Sequence, residues 1–310
     1  MSKIFKNFFF KKKIAVTGSK GFIATHVIKS LKNLGVKNKQ IIRINSKNTN
    51  YNDVNQLERK LKSVDFVIHL SSVTGGIKYT KDNTSNQFYL SSIKDINIFE
   101  ASKRSKVKKL VTLGNLHAYP AKIKSKISEN NLFDGLPSKV HMGVGWPKRN
   151  LSVMTDIYSR KSKTNFIVLY SANVYGPGDS LDHKYSHIIP TLILKCLNNK
   201  SFKIFGGLDS VREFIYVKDV ANIILLSLAK LDKSIYINVG SGEKISIKNL
   251  LKKIKKITNF NKNIKNLREI NDKSIRYTDR KKFKRLLNYK FVYNLDTGLK
   301  ETIKWYKENI

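Results

Sequence analysis

Between Ile14 and Ile28 a short apolar run, Ile14-Ala15-Val16-Thr17, meets a glycine turn, Gly18-Ser19-Lys20-Gly21, and the turn opens into an amphipathic stretch beginning Phe22-Ile23-Ala24. Strand, turn and helix in that order make an anion site. Gly18 permits a reversal that a Cβ would obstruct. Gly21 lets a pyrophosphate approach the main chain, and the first N–H groups of the new helix, around Phe22 and Ile23, point at it. Ala24 keeps helix and strand close. An ordinary strand-to-helix turn needs one glycine, so this spacing points to a dinucleotide. The next apolar run ends Ile42-Arg43-Ile44-Asn45-Ser46-Lys47. An acid there would hold the ribose 2′-hydroxyl of NAD. None is present, and Arg43, Ser46 and Lys47 suit a 2′-phosphate, which favours NADP and leaves NAD possible.

The elements that must position these residues follow a rhythm. Strand candidates at Lys13–Thr17, Gln40–Asn45, Asp65–Leu70, Lys109–Leu113 and Asn165–Tyr170 alternate with helical patterns near Gly21–Leu34, Val54–Lys62, Gln87–Ser105 and Gly145–Lys161. Such alternation builds βαβ units, and so an α/β fold: a Rossmann-type, doubly wound parallel sheet. After Gly176-Pro177-Gly178 the rhythm changes. Helical segments near His187–Asn198, Val217–Leu231, Ser246–Thr258, Arg280–Leu287 and Thr297–Tyr306 mix with short strands. The expected organisation is a nucleotide-binding domain over residues 1–176 and a smaller mixed α/β substrate-binding region over 177–310, with some of its elements returning to the sheet.

Composition narrows the function classes. The 310 residues carry a formal net charge of +38, but the lysines are spread through nearly every predicted helix and loop rather than gathered on one element. Abundant Lys, Asn and Ile, all with AT-rich codons, account for most of the excess, so no nucleic-acid partner is expected. A diffuse positive field still attracts an anionic small molecule. The single cysteine, Cys196, excludes an internal disulfide framework. No run approaches the roughly 18 apolar residues of a membrane span, and Phe8-Phe9-Phe10 is too short for a signal peptide. The expectation is a soluble cytoplasmic protein with no membrane contact. His183 and His187 have the i, i+4 spacing of a chelating pair, but no acidic third ligand accompanies them and no metal is expected.

Several blocks in order, Leu70-Ser71-Ser72, Asn173-Val174-Tyr175-Gly176-Pro177, Val211-Arg212-Glu213-Phe214 and Asn238-Val239-Gly240-Ser241-Gly242, resemble the extended short-chain dehydrogenases/reductases acting on nucleotide sugars. Gly75-Gly76-Ile77 and Ser186-His187-Ile188-Ile189-Pro190 resemble the GDP-L-fucose synthase group within them. The resemblance implies chemistry by a Ser/Thr and a Tyr-x-x-x-Lys helix. The tyrosine exchanges a proton with the sugar while the nicotinamide exchanges a hydride, and the lysine lowers the phenol pKa and holds the nicotinamide ribose. Aligned so, Val144-Gly145-Trp146-Pro147-Lys148 keeps the lysine and has valine for tyrosine. Asn115 stands at the serine position, and His117 stands where the group has an epimerising cysteine. The group's partner histidine is retained as His187.

The resemblance therefore implies cofactor contacts from Leu70, Ser71, Ser72 and Lys148. It implies substrate contacts from Asn173, His187, Phe205 and Arg212, the last at the nucleotide diphosphate. Plainer roles compete: a turn for Asn173, core packing for Phe205, a helix cap for His187, solvated surface for Arg212. Three functional readings follow. One is a C3/C5 epimerase of a nucleotide-linked 4-keto-6-deoxy sugar using His117, His187 and Asn115. A second keeps reduction as well and needs Tyr119, Tyr175 or a water in place of the missing phenol. A third is a paralogue that binds without turnover. The resemblance also implies a homodimer through the helix of the Tyr-x-x-x-Lys site and the one before it; Ile93, Ile96, Ile98, Phe99, Leu151, Met154 and Ile157 offer apolar surface for that contact or, equally, for the sheet of their own subunit.

Overall fold

The computed structural model of the chain describes residues 3–123, 126–182, 186–205, 207–267 and 275–310. Six strands form one sheet in the order Ile235–Val239, Asn165–Ser171, Lys109–Asn115, Phe66–His69, Ile14–Thr17, Ile41–Ile44. Every neighbouring pair is parallel. The central strands read as near-continuous apolar runs because helices cover both faces, and Ile14–Thr17 and Phe66–His69 are buried throughout. The chain lays its second strand on one side of the first and its third on the other. That reversal opens a crevice beyond the carboxyl ends of Ile14–Thr17 and Phe66–His69, where open α/β sheets bind ligands.

The sixth strand, Ile235–Val239, comes from the C-terminal part of the chain and completes the sheet beside Asn165–Ser171. The main core likewise draws on Ile215, Ile224, Ile237, Phe283 and Leu287. A second apolar cluster joins the helices Ile188–Leu197, Ile247–Thr258 and Leu295–Asn309, through residues such as Ile193, Leu250 and Leu299. An unexpected element, the helix Lys3–Phe9, packs Phe8 flat on Phe66 with ring centroids 5.4 Å apart, which explains the aromatic opening of the sequence.

The helices Thr84–Arg104 and Met142–Ser159 pack on each other along the sheet. Of the seven apolar residues expected at a two-fold interface, Ile98, Phe99, Leu151 and Met154 are buried inside their own subunit. Of the two roles open to these four, packing within their own subunit is the one seen, which corrects their place at the interface. Ile93 is partly buried, while Ile96 and Ile157 stay exposed beside Phe88, Tyr89 and Val153. No described helix is long and apolar enough to cross a membrane.

Candidate active site

The glycine turn is shaped by main chain alone. Gly18 has φ +61°, and a Cβ there would lie 2.9 Å from the carbonyl oxygen of Leu70 across the crevice. A Cβ on Gly21 would lie 3.0 Å from the Gly18 carbonyl, which accepts the Gly21 N–H at 2.7 Å. Gly21 is also the N-cap of the helix Phe22–Asn33, and no side chain caps that end. The helix start thus offers its donors to an anion in a cradle that any side chain would fill, and the residues present fit a dinucleotide pyrophosphate. Leu70 and Ser71 form the opposite wall, and Ser72 lies 3.5 Å from Ser91, Oγ to Oγ. After the second strand, asparagines build the loop: the Asn48 Oδ1 accepts the Asn45 N–H, and the Asn45 amide reaches Ser19. Arg43, Ser46 and Lys47 are exposed there. The nearby Asp53 caps the helix Val54–Leu61 instead of facing the cradle.

Beneath the crevice runs a buried polar chain. The Thr17 hydroxyl accepts the N–H groups of Leu70 and Ser71 at 3.1 and 3.3 Å. Its proton therefore goes to His69 Nδ1, 2.7 Å away. His69 is then the Nε2–H tautomer and donates to Asp95 Oδ1 at 2.9 Å. Lys148 Nζ donates to the same carboxylate, 3.2 and 3.4 Å from its two oxygens. All four residues are buried. Burial holds His69 below the ordinary imidazole value despite the pull of Asp95.

The chemical end lies past the strand Lys109–Asn115. Asn115 Oδ1 accepts the His117 N–H at 3.0 Å, which leaves the amide NH₂ as the end open to a ligand. His117 sits in the single turn Leu116–Ala118, and its ring stacks on His141 with centroids 4.0 Å apart. Burial drives His117 well below its usual value, and the charges of His141, Arg276, His187 and Arg212 add to the effect. His141 falls to about 4, chiefly by burial, then through Arg276 and Arg212. Three histidines and two arginines thus share one field. His187 is exposed at the N-cap of the helix Ile188–Leu197, where its side chain makes no cap bond, so the capping role is not seen. His183 lies outside the described residues.

Arg212 and Arg276 stand opposite each other on paired strands, and Arg276 donates to the Leu116 carbonyl at 2.6 Å. The buried Glu213 holds this frame by accepting from Gly242 N–H and from both donors of Thr278. A Cβ on Gly240 would strike the Glu213 carboxylate, which is why the Asn238–Gly242 block carries glycine there.

Val144 lies in the first turns of the helix Met142–Ser159, nearly buried between two glycines. A Cβ on Gly143 would collide with the Thr84 carbonyl, and one on Gly145 with that of His117. Neither proposed substitute phenol is available, a correction to that expectation. Tyr119 is fully buried and gives its hydroxyl to Asn238 Oδ1, and Tyr175 gives its own to the Leu295 carbonyl. Burial pushes both well above the usual phenol value. Asn173, on the strand Asn173–Tyr175, is exposed and donates to the Glu213 carbonyl. Phe205 ends the strand Phe202–Phe205, paired in register with Leu267. Asp95, His141 and Arg276 were not anticipated. Only His141, three residues before Val144 on the same helical turn, left a signal that spacing could have caught. No group of three or more potential metal ligands exists among the described residues.

A family model described as the NAD dependent epimerase/dehydratase family matches residues 14–240. A GDP-L-fucose synthase of Sinorhizobium fredii is 27% identical over 80% of this chain and 81% of its own length. A GDP-L-colitose synthase of Yersinia pseudotuberculosis is 26% identical over 80% and 82%. Among solved structures, a GDP-6-OMe-4-keto-L-xylo-heptose reductase from C. jejuni superposes with a TM-score of 0.89 at 23% identity, covering 96% of this chain and 98% of that one. A GDP-L-fucose synthetase from Naegleria fowleri bound to NADP gives 0.84 at 24% identity over 96% and 93%. With the glycine cradle, the parallel sheet and a match across most of its length, the chain belongs to the NAD dependent epimerase/dehydratase family.

Proposed function

We propose that this enzyme inverts C3 and C5 of a nucleotide-linked 4-keto-6-deoxy-hexose, such as a GDP-sugar. The observation that carries the reading is the convergence of His117 and His187 on one field beside Arg212, together with the loss of the reductive tyrosine at Val144. A 4-ketone acidifies the protons at C3 and C5, so a base and an acid on opposite faces invert those centres without hydride transfer. His117 and His187 are that pair. The Asn115 amide donates to the ketone oxygen as it becomes enolate-like. Arg212 takes the diphosphate, as the resemblance implies, and Arg276 stands beside it. Burial is the main cause of the low His117 value, and an anion there offsets only the smaller part that comes from Arg276 and Arg212.

The cofactor is NADP, seated on Gly18, Gly21, Phe22 and Ile23, walled by Leu70, Ser71 and Ser72, with Arg43 and Ser46 at the 2′-phosphate and Lys148 at the nicotinamide ribose. When bound, it supplies hydride chemistry. Valine carries no ionisable group and cannot provide the matching proton. Asn173 and Phe205 belong to the substrate side. The same reading places the protein in the cytoplasm as a homodimer. The same two helices carry the exposed Ile96, Val153 and Ile157 and a groove of about 520 Å³ lined by Phe88, Ser92, Trp146, Pro147 and Asn150. A monomer by light scattering at micromolar concentration removes the dimer.

Val144 also favours a second reading, a protein that binds sugar nucleotide and dinucleotide without turnover. Deuterium incorporation at C3 and C5 of GDP-4-keto-6-deoxymannose, followed by NMR without NADPH, separates them. Exchange supports the epimerase. Tight binding without exchange or NADPH oxidation supports the silent binder, and NADPH oxidation at ordinary rates shows that another group replaces the phenol.

A further inference from the structure

Lys148 is not a free ammonium waiting for a ligand. Its amine is salt-bridged to Asp95, 53 positions away in sequence, and both side chains are buried. Two long helices meet at this pair, Asp95 from Thr84–Arg104 and Lys148 from Met142–Ser159. The second oxygen edge of Asp95 receives His69, and His69 receives Thr17, whose hydroxyl also takes the Leu70 and Ser71 N–H groups of the crevice wall. The direction of the Thr17–His69–Asp95 bonds is fixed by the saturated Thr17 oxygen, and Lys148 shares the same carboxylate. Charge-assisted bonds between buried groups are strong and directional, and removing one partner strands the other. The helix backbone adds a further constraint, since the Lys148 carbonyl accepts the Tyr170 hydroxyl at 2.9 Å.

We propose that Asp95 is the positioning residue of the cofactor site: its carboxylate compensates the Lys148 ammonium and ties it, through His69 and Thr17, to the wall of the glycine cradle. Asp95 thereby sets the Lys148 end of the dinucleotide seat, while the cradle end keeps the shape its glycine turn gives it. A second consequence concerns the phenol. An ammonium already balanced by a carboxylate at 3.2 Å projects little net field, so Lys148 here holds a ribose rather than acidifying a neighbouring hydroxyl. The proposal rests on the reading that Lys148 meets the nicotinamide ribose.

The test uses two probes on the full-length protein: NADPH, which reaches Lys148, and 2′,5′-ADP, which carries only the adenosine half. NADH and ADP replace them if the wild type prefers NADH. Asp95→Asn, which replaces one of the two acceptor oxygens with a donor and removes the charge, is expected to weaken NADPH by on the order of 10- to 100-fold, the range of a charged hydrogen bond. Binding of 2′,5′-ADP should stay within about twofold, and Lys148→Met should reproduce that split without adding to it in the double variant. Unchanged NADPH affinity in Asp95→Asn overturns the proposal, as does an equal loss for both probes, which marks a merely structural residue. If Asp95→Asn fails to fold, the charge-free pair Asp95→Asn/Lys148→Met decides. Its recovery of folding supports compensation, and its failure beside a folded Lys148→Met with wild-type NADPH affinity overturns it. A wild type that binds neither probe is a separate result and overturns the cofactor reading together with the proposal.

Discussion

The two ends of the crevice are made of different material. At the cradle, Gly18, Gly21 and the Leu70 carbonyl shape the surface by what they lack, and backbone N–H groups do the binding. At the chemical end, Asn115, His117, His141 and His187 contribute side chains, and Val144 contributes none that can ionise. A main-chain site tolerates almost any change except a Cβ in the wrong place. A side-chain site can exchange its chemistry one residue at a time while the backbone beneath it stays put. The geometry of the first end therefore says little about the reaction at the second.

The largest expected effect breaks the chemical end alone. His117→Ala and His187→Ala should each cut deuterium exchange at C3 and C5 by about 10² to 10⁴, the usual worth of a general acid or base. NADPH affinity, measured by fluorescence titration, should be unchanged. Full exchange in both variants removes His117 and His187 as the acid–base pair, and no exchange even in the wild type leaves the silent binder.

A second experiment rebuilds that end. The retained lysine suggests that Val144→Tyr should restore hydride transfer, with Asn115→Ser as a further aid. With Asp95 balancing Lys148, the single variant should gain little, and Val144→Tyr/Asp95→Asn should oxidise NADPH with a keto-sugar about tenfold faster per bound cofactor. Equal rates with and without Asp95 break that expectation.

Smaller in size is the acid response of the fold. His26, His69, His117 and His141 are all held below 6.5, mainly by burial, so the folded chain binds fewer protons than the unfolded one. Stability from these groups is complete above about pH 6.5. It falls as pH drops through that value, by up to ~1.4 kcal/mol per pH unit for a fully buried group, until each folded value is reached, about 4 for His141. Thermal melts should decline from pH 7 to 5, and His69→Gln should flatten the slope. A melting temperature level across that range contradicts this.

The smallest difference concerns the cradle. NADP(H) should raise the melting temperature more than NAD(H), because Arg43, Ser46 and Lys47 occupy the place of an acid. Either ligand at 100 times its dissociation constant adds roughly 2.7 kcal/mol, so the contrast shows at matched low concentrations. Equal or reversed shifts remove the preference.

The strands and helices of the first half were legible because apolar periodicity and the glycine turn are local signals. The helix carrying Val144 starts at Met142, three residues before the expected Gly145, because Gly143 and Gly145 are chosen for close packing rather than for helix propensity. The sixth strand was hidden, since Ile235–Val239 acquires its role only by pairing with the distant strand Asn165–Ser171. Apolar residues on the two long helices could be listed from sequence. Which of them faced the sheet could not, because the helices bury more than one face. Asp95 and Arg276 arise from juxtapositions across many elements, and a single sequence carries no mark of them; His141 left only its spacing before Val144, and its stack on His117 left none.

Glu213 reaches further than its three hydrogen bonds suggest. By tying the Gly242 turn and Thr278 to the strand of Arg212, it fixes the arginine frame while the chain folds, before any ligand arrives. The ordering entropy of that frame is spent in folding, so a small anion meets a surface that need not rearrange. Such a seat is robust to mutation at the reacting centre. A lineage built on it can abandon one reaction and explore another while the frame that holds its arginines stays folded.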